Sequence, residues 1–137
     1  MLIPRRPKIH IAFLTPEYPD LHKPEGGLGN YVRKVSLALI QRGHKVTVFV
    51  MAPRRRKELD QGIELIFVKR IKFHWRIHQF KALHGWLDLI EQNLTARRIR
   101  NAVLALNKQT RIDILQTSNY KIPGLKNVDA EIGRAHV

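Results

Sequence analysis

Cysteine is absent from all 137 residues, so disulfides, thiolate metal sites and cysteine nucleophiles are excluded at the outset. Carboxylates are scarce: 11 Asp and Glu stand against 25 Lys and Arg, a formal net charge of +14. A surface this basic attracts polyanions or anionic lipid whatever the fold beneath it. No apolar run reaches the roughly 18 to 20 residues of a membrane span. The start Met1-Leu2-Ile3-Pro4-Arg5-Arg6 also lacks the apolar core of a signal peptide, so a cytoplasmic location is the expectation. Four familiar signatures are missing too. A nicotinamide dinucleotide fingerprint would need a third glycine where Val32 stands. Neither a Gly-Lys-Ser/Thr phosphate loop nor a serine elbow or helical His-Glu pair occurs, which leaves the common hydrolases without support.

What is present is organised around Glu25-Gly26-Gly27-Leu28-Gly29-Asn30-Tyr31-Val32-Arg33, a glycine-rich loop that runs into an amphipathic helix. Leu28, Tyr31, Val32, Val35, Ala38 and Leu39 fall at the spacing of one buried helical stripe, and Gly43 closes the helix. Glycine without Cβ can take positive φ and admit a ligand close to its amides. First-turn amides at the positive end of a helix dipole favour a phosphate or carboxylate. Gly26, Gly27 and Gly29 are therefore either a phosphate-binding loop or a tight turn that allows close helix-to-sheet packing.

The length suits one domain with a core, and 44% hydrophobic residues is ordinary for a globular chain. Lys8 to Leu14 reads as a strand buried on both faces, ended by Thr15-Pro16-Glu17-Tyr18-Pro19. The helix from about Asn30 to Arg42 hands over to a second strand, Lys45 to Met51. This strand, helix, strand unit builds a parallel sheet whose ligands collect at the strands' carboxyl ends. Ala52 to Lys57 reads as a charged loop, Gly62 to Val68 as a third strand, Trp86 to Leu106 as one long helix or two abutting ones with Arg97, Arg98 and Arg100 on the solvated face, and Arg111 to Thr117 as a fourth strand followed by polar Ser118-Asn119-Tyr120. The fold class is α/β, a Rossmann-like parallel sheet with flanking helices.

From Leu65 to Leu87 there is no acidic residue, while Lys69, Arg70, Lys72, Arg76 and Lys81 interleave with Phe73, Trp75, Phe80 and Trp86. Such a pattern either seats a protein on an anionic membrane, with Lys69, Arg70, Lys72, Trp75 and Arg76 as the contact surface, or is a solvated segment whose aromatics turn inward. His74, His78 and His84 lie in the same region, and with neither carboxylate nor cysteine joining them no metal site is expected.

Lys8 to Val50, with Thr-Pro-Glu-Tyr-Pro, Gly-Gly-Leu-Gly, Arg-Gly-His-Lys-Val and Thr-Val-Phe-Val, resembles the N-terminal half-domain of family 4 glycosyltransferases, and Ile112 to Leu125 resembles the next block of that domain. The resemblance implies half of a two-domain GT-B fold and retaining hexosyl transfer from a nucleotide-sugar donor to a glycan or lipid-linked acceptor. It implies no cofactor, no catalytic metal and no nucleic-acid partner. Gly26, Gly27 and Gly29 would face the donor phosphates, and Asn119 and Tyr120 the acceptor cleft. Catalytic residues are not assigned, because the family's paired glutamates belong to the C-terminal domain. Relatives that make glycogen or starch carry lysine two residues before the paired glycines, where Pro24 stands here, which points away from polyglucan. Residues 1–130 are expected to be a truncated acceptor-side domain, inactive alone, and 131–137 to be translated sequencing adapter. The competing expectation is a non-catalytic basic module that binds nucleic acid or anionic membrane.

Overall fold

The computed structural model describes residues 7–19, 26–72 and 81–117. The expectations for Pro24, His74, Trp75, Arg76, His78, Asn119, Tyr120 and 131–137 lie outside these segments. Along the chain come β1 (His10–Thr15), α1 (Gly27–Gln41), β2 (Lys45–Ala52), β3 (Arg56–Asp60), β4 (Ile63–Lys69), α2 (Lys81–Gln109) and β5 (Ile114–Thr117). Every residue of β1 is buried, and so is all of β2 after Lys45, as apolar runs with two covered faces require.

The sheet order is β3-β4-β2-β1-β5. β1 is parallel to both β2 and β5, and β2 is parallel to β4. The chain thus steps outward from β1 to β2 to β4, then returns past β1 to lay down β5. Right-handed crossovers in opposite directions place successive helices on opposite faces. Side-chain alternation shows this: Ile11, Phe13, Val48, Val50, Leu65 and Phe67 pack with Val32 of α1, whereas Ala12, Leu14, Phe49, Met51 and Val68 pack with Ile99, Val103 and Leu106 of α2. The reversal between β1 and β5 is the topological switch point, where open α/β sheets bind their ligands.

Three expectations change. Arg56 and Lys57, expected in the charged loop, instead open an antiparallel edge strand, Arg56–Asp60, on β4. Its turn holds Gln61 at φ 49° and Gly62 at φ 91°, the doubly positive pair of a tight hairpin. The charged composition of Arg56–Asp60 hid it, because an edge strand needs no apolar run. The α1 stripe is also narrower than the apolar reading. Tyr31 is 54% exposed and Ala38 is exposed, while Gly29, Val32 and Ser36 are the buried residues. Leu28, Val35 and Leu39 of the expected stripe pack against the core beside Val32, and small side chains at Gly29 and Ser36 let the helix sit close to the sheet, so size as well as hydropathy sets its contact line. Finally, α2 is one continuous helix, of which Thr95, Ile99, Val103 and Leu106 are buried, while Trp86, Leu89 and Ile90 upstream are exposed.

Gly43 does close α1. It takes φ 89° and donates its N–H to Ile40 O at 2.9 Å, while His44 N–H reaches Leu39 O at 3.1 Å. Beside it, at the start of β1, the His10 ring is buried between Arg111 O at 3.0 Å from Nδ1 and Thr47 Oγ1 at 2.8 Å from Nε2. A carbonyl only accepts, so Nδ1 carries the proton, and burial holds the ring pKa below the ordinary histidine value. Asp113 Oδ2 accepts the His10 N–H at 2.8 Å, and these contacts together pin the start of β5 to β1.

Candidate functional site

β1 delivers the chain to a turn in which Thr15 Oγ1 donates to Glu17 O at 2.8 Å, with the Glu17 N–H 3.3 Å from the same hydroxyl oxygen. The turn aims the Glu17 carboxylate at the start of α1, where its Oε1 accepts the Gly29 N–H at 3.2 Å. Gly26 is the N-cap residue, at φ −63° and ψ 171°, and contributes no side-chain cap. The positive φ expected of this loop is not found: among the described residues the glycines at positive φ are Gly43 and Gly62. The loop glycines act through their missing Cβ instead.

They also act differently from one another. A Cβ at Gly29 would stand 3.3 Å from Tyr18 Cα and Pro19 Cδ, so glycine there lets the first turn of α1 press against the exit of β1. A Cβ at Gly26 would stand 2.8 Å from Glu17 Oε1. At Gly27 it would meet nothing within 4 Å. Gly26 and Gly29 thus serve internal packing, and Gly27 faces open space at the positive end of the dipole. With the Gly29 amide engaged by Glu17, the Gly27 and Leu28 amides have no acceptor among the described residues.

Beside this lies a polar network that apolar periodicity could not reveal. Tyr18 Oη donates to Asp60 Oδ2 at 2.6 Å, and Arg33 Nε donates to the same oxygen at 2.8 Å. Asp60 is held below the usual carboxylate range, first by the Arg33 hydrogen bond and then by Tyr18, against burial. Burial and the Asp60 carboxylate push the Tyr18 hydroxyl far above its ordinary value, so it stays protonated. These side chains come from three elements, and only the pairing of β3 with β4 carries Asp60 to them. They line a cavity of about 470 Å³ that also touches Asn30 and Glu58.

Of the other residues singled out from the sequence, Lys69 and Lys72 are exposed and Arg70 is half-buried, its N–H bonded to Ala52 O at 2.9 Å. His84 does have a carboxylate neighbour: its Nδ1 lies 3.1 Å from Asp88 Oδ2 across one helical turn. Arg97 and Arg98 are exposed and Arg100 is half-buried.

A family model described as the starch synthase catalytic domain matches residues 10–114, from the first residue of β1 to the first of β5. The chain belongs to that family. It is a glycosyltransferase domain of the GT-B kind, and its five-stranded α/β sheet is the Rossmann-like arrangement such a domain is built from. The matched span contains both faces of the core and the whole contact between Glu17 and the α1 glycines. No curated protein matches the chain significantly. Membership of the starch synthase catalytic domain family supports the GT-B part of the resemblance read from Lys8 to Val50, and does not specifically support family 4.

Proposed function

We propose that the chain is the acceptor-side Rossmann-like domain of a retaining glycosyltransferase of the family 4 type, which moves a hexosyl group from a nucleotide-sugar to a glycan or lipid-linked acceptor. The observation that carries the reading is the open Gly27 and Leu28 backbone at the start of α1, directly beyond the carboxyl end of β1 at the switch point. A diphosphate leaving group gains negative charge as the glycosidic bond breaks. Amides already fixed by the helix stabilise that charge without reorganising. Gly26 and Gly29 hold the loop in place, and Asn119 and Tyr120, which follow β5 in sequence, contribute the acceptor side of the cleft in this reading.

In the full-length enzyme, Gly27→Ala is expected to lower transfer by at least about tenfold, roughly 1.4 kcal/mol of transition-state stabilisation, because the added methyl stands where a phosphate approaches. Since that methyl meets nothing within 4 Å, the fold should be unaffected. Steady-state kinetics of this variant equal to wild type would make the loop purely structural.

The family description favours a second acceptor, an α-glucan. Pro24 in place of the lysine of starch- and glycogen-making relatives speaks for the first. Transfer from labelled nucleotide-glucose to maltooligosaccharide, compared with transfer to a lipid-extract acceptor, separates them. A lipid-linked acceptor also accords with peripheral attachment to the inner face of an anionic membrane through Lys69, Arg70 and Lys72, continued by Trp75 and Arg76. No helix among the described residues is long and apolar enough to cross a membrane.

A further inference from the structure

On the face of the sheet opposite α1, the β3–β4 hairpin and the C-terminal half of α2 enclose a groove of about 540 Å³. Its lining includes Arg55, Arg56, Lys57, Lys69 and Arg98 and not one carboxylate. Strand alternation explains the sorting. Arg56, Glu58 and Asp60 stand opposite Phe67, Leu65 and Ile63, whose side chains belong to the α1-side core, whereas Lys57 stands opposite Ile66, which packs on the α2 side. Both acids of β3 are thereby sent to one face and answered there, Glu58 by Arg56 at 2.8 Å and Asp60 by Arg33. The other face keeps its cations. Arg55, Lys57 and Arg98 have no carboxylate partner within 4 Å among the described residues, while Lys69, opposite Ala52 and in the α1-side register, and Arg56, already paired and stacked over the Phe67 ring at 3.9 Å, border the groove. Across the groove, α2 presents Ala102 and Ala105 one and two turns beyond Arg98, and these short side chains leave the space open above a floor formed by Ile66 and Val68.

We propose that this groove is a binding site for a multiply charged phosphoryl ligand, distinct from the α1 site and independent of the glycosyl-transfer reading. Unanswered cations held in a concave site focus a positive potential that an anion relieves. Guanidinium forks match phosphate oxygens two at a time, and lysines add point charges. The volume is that of a small-molecule pocket, with an apolar floor for the ligand's organic part and a rim of charge for its phosphates. A soluble phosphate ester and a phospholipid headgroup both present this chemistry.

Calorimetric titration of the 137-residue chain with inorganic tripolyphosphate tests the site, alongside co-sedimentation with vesicles of phosphatidylglycerol and phosphatidylcholine. Lys57→Glu with Arg98→Glu should weaken binding by about tenfold or more, whereas the charge-matched pair Lys8→Glu with Lys34→Glu, on exposed residues away from the groove, should change it by less than about twofold. Loss of tripolyphosphate binding in the groove variant supports the proposal with a soluble ligand. Loss of vesicle binding in that variant alone supports it with a headgroup as the source. Equal losses in the two variants, or no tripolyphosphate and no vesicle binding by the wild-type chain, overturn it. All four positions are exposed, and circular dichroism of each variant verifies the fold.

Discussion

At the residue scale, Glu17 is the group that most alters the reading of the α1 site. The chain's own carboxylate already uses one of the amides that a bare glycine-rich motif would assign to a phosphate. A phosphate on the neighbouring Gly27 and Leu28 amides would lie close to that negative charge. Glu17→Gln keeps an acceptor for the Gly29 N–H and removes the charge. Pyrophosphate affinity should then rise about threefold, roughly 0.6 kcal/mol, while helix stability falls by about 0.3–1 kcal/mol as the favourable carboxylate–dipole contact is lost. Unchanged affinity in calorimetry would mean that phosphates do not approach Glu17. Ser36 offers a second single-residue test. Its side chain is fully buried and its Oγ has no hydrogen-bond partner among the described residues. Ser36→Ala removes a desolvated hydroxyl and favours the helix, so it should stabilise the protein by about 0.5–1 kcal/mol in urea unfolding. Destabilisation would reveal an unseen partner for that hydroxyl.

At the scale of elements, the Arg33–Asp60–Tyr18 network ties α1, the β1 exit and the β3–β4 hairpin into one unit. Asp60 has its pKa lowered by folding, so the unfolded chain binds its proton more readily. The stability it contributes is full above the unfolded value near 4 and drains away as pH falls through the lower folded value. With Asp60 partly exposed, Asp60→Asn should cost about 1 kcal/mol at pH 7. The gap between variant and wild type should narrow below about pH 4, as the wild-type carboxyl takes up its proton. Urea midpoints measured at pH 7 and pH 3 test this, and a gap of the same size at both pH values would show that the contribution is packing rather than charge.

At the scale of the whole molecule, the basic excess is not spread evenly. The acids of β3 are spent on one face of the sheet, while exposed Trp86, Leu89 and Ile90 stand on the N-terminal half of α2, downstream of Lys69 and Lys72. An exposed tryptophan is suited to a membrane interface, and each cation at an anionic one contributes about 1 kcal/mol at modest salt. Trp86→Ser should therefore lower co-sedimentation with phosphatidylglycerol vesicles by about fivefold, the equivalent of about 1 kcal/mol, without altering tripolyphosphate binding. Equal binding of the wild-type chain to neutral and anionic vesicles would refute the preference for an anionic membrane.

The central parallel strands β1 and β2 were legible in the sequence because they are buried on both faces, which forces the runs around Ile11 and Val48 to be apolar whatever the partner. Gly43 was legible as a helix end because only a residue without Cβ takes that left-handed turn easily. The place of the glycine-rich loop, between the first strand and the helix that follows it, was legible because it follows from chain order. Which glycine faces outward was not, because Gly26, Gly27 and Gly29 differ only in what surrounds them: Glu17, Tyr18 and Pro19 crowd two of them and leave the third open. The hairpin strand Arg56–Asp60 and the network around Asp60 were equally hidden. Local sequence reports a residue's own propensity, whereas the pairing of β3 with β4 brings Asp60 to a tyrosine 42 residues earlier and divides the charges of one short strand between two faces. Pairing and pleat depend on the assembled sheet, and only the tertiary structure decides them.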